Sequence, residues 1–208
     1  MSVIRQPSLF GAQALPPAPG DLAGLLLAGG VVARWQSPTV EAPTVDAPAG
    51  GAQVSIVVDH PWRASVLVME CARRGLAATC VTTAEHRIGV RTAHSPLLAT
   101  LAEAWTDGPV RRMPRDLFLD GLQLRLWVEA EGRYERSGAY LLSSGPGEDA
   151  DRERVGSALA AVGLAAQMIS ARAGGGHSYR IVGKKRLGRL AEMVGDPPKR
   201  APTDIWPS

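Results

Sequence analysis

An internal repeat constrains the fold of this chain more than any other feature of its sequence. The segment 74–79, RGLAAT, aligns with 162–167, VGLAAQ, and the glycine in each closes a stretch with apolar residues at helical spacing. These helical stretches cover 61–74 and 149–162. Matched patterns of this kind predict two copies of one supersecondary unit that pack against each other.

The two copies also share the order of the elements around the central helix. Each glycine is followed by a hairpin pattern and then by a helix that contains Leu-Ala-Glu, at 101–103 and at 190–192. The hairpin strands are predicted at 79–83 with 87–93, and at 167–172 with 178–182. Upstream, the pattern predicts a helix at 21–30 and 114–132, a short strand at 31–35 and 133–136, and a second strand at 54–58 and 139–143. Each half is therefore predicted to be α-β-β-α-β-β-α, which makes an α+β fold of two pseudo-symmetric repeats.

Proline, alanine and glycine mark the segments that lie between and beyond these elements. Residues 11–20 have the composition of a linker, and 36–51 that of a long loop. We expect a flexible tail and linker at 1–20, a first repeat at 21–110, a second repeat at 111–195, and a poorly ordered proline-rich tail at 196–208.

Composition excludes several classes of protein. Of the 208 residues, 45% are hydrophobic and 21% are charged, which is near the average of globular domains. No run approaches the roughly 20 apolar residues of a membrane-spanning helix, and the first residues lack the pattern of a secretion signal. Two cysteines cannot form a disulfide scaffold, and no Cys/His cluster completes a metal site. We therefore expect a cytoplasmic monomer with reduced thiols, no membrane association and no cofactor.

The cations of this chain are almost all arginine. The sequence has 23 Lys and Arg against 20 Asp and Glu, and only Lys184, Lys185 and Lys199 are lysines. Arginine suits phosphates and base edges because its planar fork donates two parallel hydrogen bonds. A net charge of +3 permits nucleic-acid binding without requiring it, and the codon bias of a GC-rich genome is an alternative source of the arginines.

The repeat, with Leu-Ala-Gly-Leu at its start, resembles the LAGLIDADG homing-endonuclease fold. The first motif is 22–30, LAGLLLAGG, and the second, aligned on its final glycine, is the more divergent 124–132, LRLWVEAEG. The resemblance covers most of the chain. It implies that the two motif helices pack along a pseudo-twofold axis, and that the strands form a saddle whose concave face lies on duplex DNA.

Arginines on the predicted strands are the candidate DNA-binding residues that this resemblance implies. They are Arg34, Arg87, Arg91, Arg133, Arg136, Arg172 and Arg180. For any one of them, a place on a solvated outer face is the alternative.

Cleavage in this family depends on an acidic residue just before the closing glycine of each motif, and the two acids together hold divalent metal beside the scissile phosphates. Here Gly29 occupies the first of these positions and Glu131 the second. Because one carboxylate cannot build the paired site, we expect a fold that has lost nuclease activity and has no catalytic residues and no metal site.

The N-terminus carries a second resemblance, to the bacterial sliding-clamp-binding peptide, in Gln6-Pro7-Ser8-Leu9-Phe10. The resemblance implies that Leu9 and Phe10 fill an apolar pocket on the clamp, with Gln6 at its rim and Ser8 between them. A tail whose Leu9 and Phe10 pack back on the body is the alternative.

Taken together, these features favour a non-catalytic DNA-binding protein that docks on the replication clamp and acts in replication or repair, associated with the nucleoid. A second hypothesis is a transcription regulator similar to the sporulation regulators that join a degenerate LAGLIDADG domain to a helix-turn-helix, although the 13 residues after Gly195 are too few for that motif. A residual endonuclease, an RNA-binding protein and a fold that binds only protein stay open. No nucleophile elbow or phosphate loop indicates another class of enzyme.

Overall fold

The computed structural model describes residues 11–12, 15–35, 51–83, 87–170, 176–202 and 204–208. Its α-helices are α1 (Ala23–Leu27), α2 (Pro61–Arg73), α3 (Ala99–Trp105), α4 (Gly121–Glu131), α5 (Asp149–Ala161) and α6 (Lys184–Val194). Its strands are β1 (Val31–Trp35), β2 (Gly51–Val58), β3 (Ala78–Thr82), β4 (Ile88–Thr92), β5 (Thr106–Asp107), β6 (Val110–Arg111), β7 (Gly132–Tyr134), β8 (Tyr140–Ser143), β9 (Gln167–Ser170) and β10 (His177–Ile181). Short 3₁₀ turns, Pro19–Leu22 and Pro96–Leu98, lead into α1 and α3.

Two antiparallel sheets repeat one topology. The first has the strand order β1-β2-β4-β3, and the second has the order β7-β8-β10-β9. In each half a helix precedes the first strand, a second helix follows the second strand, and a third follows the hairpin. The α+β fold of two pseudo-symmetric repeats is confirmed.

The motif helices α1 and α4 lie side by side at the centre of the core. They approach so closely at Gly24 that a Cβ there would collide with the carbonyl of Gln123 and lie 3.1 Å from Leu126 Cβ. Around this contact Leu22, Leu25 and Trp127 are almost completely buried. A glycine at this point lets the two backbones touch, so it sets the distance between the halves.

Each sheet has one covered and one open face, because apolar residues alternate along its strands. In β2, Val54, Ile56 and Val58 are buried against the helices, whereas Ser55 and Val57 point to the other side. The open faces of the two sheets are the candidate saddle.

The helix predicted at 114–132 begins only at Gly121. Asp120 ends the preceding extended segment, since its Oδ1 accepts a hydrogen bond of 2.8 Å from Gln123 N, and the Gln123 side chain bonds back to Asp120 N. This capping box starts α4. Upstream of it, β5 and β6 form a small hairpin that the sequence patterns do not predict.

Both terminal segments pack on the body where the structure describes them, which corrects the prediction of a poorly ordered C-terminal tail. Trp206 is buried, and its Nε1 donates to Gly195 O at 2.8 Å, while Tyr140 Oη donates to Ile205 O at 3.0 Å. At the other end Ala12 N donates to Met193 O at 2.7 Å, so the linker is held at this point. None of the helices described is long and apolar enough to cross a membrane.

Candidate functional site

The two motif helices end differently, although they start from similar patterns. Helix α4 continues through Glu131, and Gly132 leads directly into β7. Helix α1 ends at Leu27, two residues earlier in the aligned motif, and Gly29 follows with a φ of +99°. Gly29 N and Gly30 N donate to Leu26 O and Leu25 O, so the chain leaves α1 through a tight terminal turn.

No carboxylate can be placed at Gly29 without a change in the backbone. Its left-handed φ disfavours any side chain, and a Cβ there would lie 3.0 Å from Gly145 Cα. In turn, a Cβ on Gly145 would lie 2.6 Å from Gly29 Cα. The first motif therefore lacks an acid and also lacks the space for one.

Glu131 is the acidic residue that the second motif retains. It is partly buried and lines a cavity of about 330 Å³ together with Gly29, Arg87 and Gly145, where the two halves meet. Burial raises the pKa of Glu131 above its ordinary value, while the positive charges of Arg63, Arg133 and Arg87 partly offset this rise.

The guanidinium group of Arg63 lies against the last carbonyls of α4. Its Nη1 donates to Val128 O at 3.1 Å and to Glu129 O at 2.7 Å, and its Nη2 donates to Gly132 O at 2.7 Å. The side chain is 3% exposed, and its Nε lies 3.1 Å from Asp59 Oδ1. A guanidinium from the first half thus satisfies the last carbonyls of the motif helix of the second half.

Arg111 holds the matching position at the end of α1. Its Nη2 donates to Leu26 O at 2.7 Å, and its guanidinium lies 5.9 Å from the centre of the Trp105 ring. Each motif helix therefore ends against an arginine, one from α2 and one from β6.

The residues at these two ends do not fit the paired metal site of the family. A divalent cation between the motifs needs carboxylate or carbonyl oxygens from both. Here Gly29 supplies no carboxylate, and the carbonyls beside Glu131 already accept hydrogen bonds from Arg63. The parts of the chain that the structure describes hold no group of three or more His, Cys, Asp or Glu side chains placed for a metal ion.

The open face of the first sheet combines two arginines with apolar side chains. Arg91 pairs with Ser55 on β2 and Thr79 on β3, all on this face, and Arg87 lies two positions before Gly89 on the same side. The exposed apolar residues Val31, Trp35, Val57 and Val81 also lie on this side. Arg34 lies on the opposite side, because it pairs with the fully buried Ala52.

On the second sheet, Arg133 and Arg180 lie in one row across the strands. Both are in register with Leu141 of β8. Arg133 Nη1 donates to Ser143 Oγ at 2.7 Å, whereas Arg180 is held by Glu135, 2.8 Å away, and by Ser137. The pKa of Glu135 lies below its ordinary value because of the hydrogen bond from Arg180.

The remaining candidates from the sequence are dispersed. Arg136 is exposed between β7 and β8, away from the strand rows. Arg172 and the peptide residues Gln6, Ser8, Leu9 and Phe10 lie outside the described residues.

Sequence reasoning missed Arg63 and Arg111, since a single arginine far along the chain carries no signal that it will cap another helix. It also missed a buried ionic cluster behind α4. Arg74 Nε lies 3.0 Å from Asp21 Oδ2, and Arg74 Nη1 bonds to Glu70 Oε2 at 2.6 Å.

Glu129, inside α4, belongs to the same charged layer. Arg125 Nε lies 2.9 Å from Glu129 Oε1, but neither oxygen of Glu129 receives a well-aligned hydrogen bond. Complete burial raises the pKa of Glu129 to about 8. The cluster belongs to the core and is remote from the open faces.

Comparison with solved structures identifies the fold. The N-terminal LAGLIDADG domain of DUF199/WhiA aligns with a TM-score of 0.54 at 14% identity, over 96% of this chain and 98% of that one. The homing endonuclease I-DmoI, in complex with DNA and Ca, aligns with a TM-score of 0.53 at 13% identity, over 88% of this chain and 94% of that one. Full-length DUF199/WhiA from Thermatoga maritima gives 0.54 at 14% identity, and the match spans 56% of its length.

No family model and no curated protein matches the sequence. At these identities the likeness establishes the fold, so the chain has a LAGLIDADG-like fold.

Proposed function

We propose that this chain is a non-catalytic protein that binds duplex DNA across the open faces of its two sheets. The proposal rests on the structure at the ends of the two motif helices. Gly29 has no space for a carboxylate, and the Glu131 end is wrapped by the Arg63 guanidinium. Binding is supported by Arg87 and Arg91 on one open face and Arg133 on the other, and by the LAGLIDADG-like fold shared with I-DmoI, which was crystallised with DNA.

Loss of cleavage follows from charge as well as from the missing acid. Two carboxylates would attract a cation to the junction of the halves, whereas Arg63 and Arg111 place two guanidinium groups beside it. Positive charge at this position favours a phosphate over a metal ion.

The test measures binding and cleavage separately. Fluorescence anisotropy of a labelled duplex should show binding that weakens steeply with salt, because phosphate contacts release counterions. The double variant Arg91→Gln/Arg133→Gln should bind at least tenfold more weakly, while Arg186→Gln on α6 should match the native chain. Supercoiled plasmid with Mg²⁺ or Mn²⁺ should stay uncut. Metal-dependent nicking that disappears in Glu131→Gln contradicts the non-catalytic part, and equal binding by all variants contradicts the proposed face.

We also propose that residues 6–10 dock on the replication sliding clamp, in replication or repair. Gln6, Leu9 and Phe10 match the clamp-binding pattern in sequence. Support comes from the anchor at Ala12, which bonds to Met193 O beside the start of α4. Since α4 has 11 residues, its start lies roughly 16 Å from Glu131, so Ala12 is attached at the end of α4 that is far from the proposed DNA face.

Pull-down with purified clamp tests this docking. Leu9→Ala/Phe10→Ala should abolish clamp binding, with a loss of roughly a hundredfold or more from two anchor residues. Duplex binding and thermal stability should stay unchanged. A large fall in melting temperature with no clamp binding by the native chain indicates that the peptide packs on the body instead.

The second candidate function is the binding of a partner protein by the open faces of the sheets. It is favoured by the exposed apolar residues Val31, Trp35, Val57 and Val81 on the first open face, because apolar patches of this kind mark interaction surfaces. Under this alternative, Val57→Asp removes partner binding, and the arginine variants leave it unchanged.

A further inference from the structure

A second cavity lies next to the one that contains Glu131. Its volume is about 520 Å³, within the range of roughly 300–1,000 Å³ for small-molecule sites, and it lies between the β5–β6 hairpin, the start of α5 and the start of β10. Ser144 and Gly145 line both cavities. We call it the arginine cleft, after its lining arginines Arg111, Arg112, Arg115, Arg152 and Arg154.

Positive charge exceeds negative charge in the arginine cleft. Three carboxylates, Asp107, Glu148 and Asp151, face the five arginines. Asp151 pairs with Arg154 at 2.7 Å, and Asp107 lies 3.7 Å from Arg112. Arg115 is exposed and makes no hydrogen bond or ion pair with the described residues, so its guanidinium is available to a ligand.

One wall of the arginine cleft is a loop that contains two glycines. Strand β8 is followed by the segment 144–148, with glycines at 145 and 147, and then by α5. No side chain caps the first N–H groups of this 13-residue helix. The N–H groups of Asp151 and Arg152, which line the cleft, donate to Glu148 O, and the carboxylates of Asp149 and Asp151 pair with Arg152 and Arg154, so the helix end itself is not a donor to a ligand. In the first half only Asp59 and His60 separate β2 from α2, so this loop is particular to the second half.

Two buried nitrogens in the arginine cleft lack partners. His177 is 5% exposed, and its Nε2 has no hydrogen-bond partner among the described residues. The Nε of Arg152 is also buried and unpaired. A buried N–H without an acceptor costs free energy, and an anionic ligand would accept from the Nε–H of Arg152 and from the Nε2–H tautomer of His177.

We propose that the arginine cleft binds a phosphate group, supplied either by a nucleotide or by the end of a DNA strand. The cleft adjoins the Glu131 cavity through Ser144 and Gly145, but Arg115 and Arg152 do not line that cavity, so the proposal does not require that the open faces bind duplex DNA. Arg115 supplies charge, Arg152 supplies its unpaired Nε–H, and His177 lines the inner wall.

Isothermal titration calorimetry of the full chain with pyrophosphate tests the cleft without any DNA. Arg115→Gln and Arg152→Gln should each weaken binding tenfold or more, and Arg186→Gln should not change it. Because Arg115 has no bond to lose within the described residues, its variant should retain the native melting temperature. No heat of binding at millimolar pyrophosphate, or equal affinities in all three variants, overturns the proposal.

Comparison of ligands then assigns the source of the phosphate. Tighter binding of a nucleoside triphosphate indicates a nucleotide site. Tighter binding of a 5′-phosphorylated oligonucleotide than of its 5′-hydroxyl form indicates a strand-end site. Arg115 and Arg152 lie outside the proposed duplex-binding face. The variant Arg91→Gln/Arg133→Gln should therefore lose duplex binding and still bind pyrophosphate, which would show that the two sites are independent.

Discussion

Helices α1 and α4 hold equivalent places in the two halves, yet their ends have diverged in opposite directions. The end of α4 has Glu131, a direct exit into β7 and three hydrogen bonds from the buried Arg63. The end of α1 has Gly29, a left-handed turn and a single short hydrogen bond from Arg111. The second half has a carboxylate at this position, whereas in the first half the backbone of Gly29 and Gly145 occupies the corresponding space.

The interiors of the two helices differ as well. When the closing glycines Gly30 and Gly132 are aligned, Leu27 of α1 corresponds to Glu129 of α4. Both are completely or almost completely buried, one in an apolar layer and the other in a charged one. The equivalent position is therefore buried in both halves, but its side chain is apolar in the first half and ionisable in the second.

The largest expected effect is on the arginine that caps α4. Arg63→Ala should lower the free energy of unfolding by about 3–5 kcal/mol, because it leaves the buried carbonyls of Glu129 and Gly132 without the hydrogen bonds of a charged donor. Arg111→Ala should cost about 1 kcal/mol, since it removes one short hydrogen bond. Urea denaturation of both variants measures the difference. Equal losses would mean that the two ends are equivalent in energy.

The buried Glu129 should make stability depend on pH. Its pKa of about 8 in the folded state lies above the unfolded value, so the folded state holds an extra proton between roughly pH 5 and 8. Its contribution to stability is therefore present at low pH and is lost as the pH rises through that window, by up to about 1.4 kcal/mol per pH unit. Glu129→Gln should flatten this slope in denaturation experiments from pH 5 to 9, while the exposed Glu103→Gln should leave it unchanged. An unchanged slope in Glu129→Gln would contradict the assignment.

Restoring an acid to the first motif should destabilise the fold. Gly29→Asp introduces a side chain at a φ of +99° and against Gly145, which should cost about 1–3 kcal/mol. Gly188→Ala, on α6 with open space around it, is the matched control and should be neutral or slightly stabilising. Thermal denaturation compares the two. A Gly29→Asp variant with native stability would show that the first end retains room for a catalytic acid.

The smallest effect concerns the open faces. Arg91→Gln should reduce the slope of log K against log salt for duplex binding by about one, the value for one phosphate contact. Arg180→Gln should reduce it by less, because Glu135 already neutralises this arginine. Anisotropy titrations between 50 and 200 mM salt measure both slopes. A larger effect at Arg180 would place the second sheet, rather than the first, closer to the phosphates.

The element order could be predicted because it depends on local patterns. The matching order of elements in the two halves predicted β1 at 31–35, as observed, and the helical spacing with its closing glycine predicted α2 and α5 to within one residue. The predicted start of α4 was wrong because Asp120 caps the helix, and the apolar segment before Asp120 has a sequence typical of a helix. The burial of Trp206 and the caps from Arg63 and Arg111 involve partners far away in sequence, which local patterns do not reveal.

The contact between Gly24 and Leu126 also determines which helices can pair at all. These two residues correspond when the motifs are aligned, so one helix has no side chain at the position where the other has a leucine. Two copies of the first half would leave a void at this point, and two copies of the second half would force leucine against leucine. The interface thus accepts only unlike halves. A chain of this design disfavours the pairing of two identical halves from neighbouring copies, a form of misassembly that repeated sequences otherwise risk.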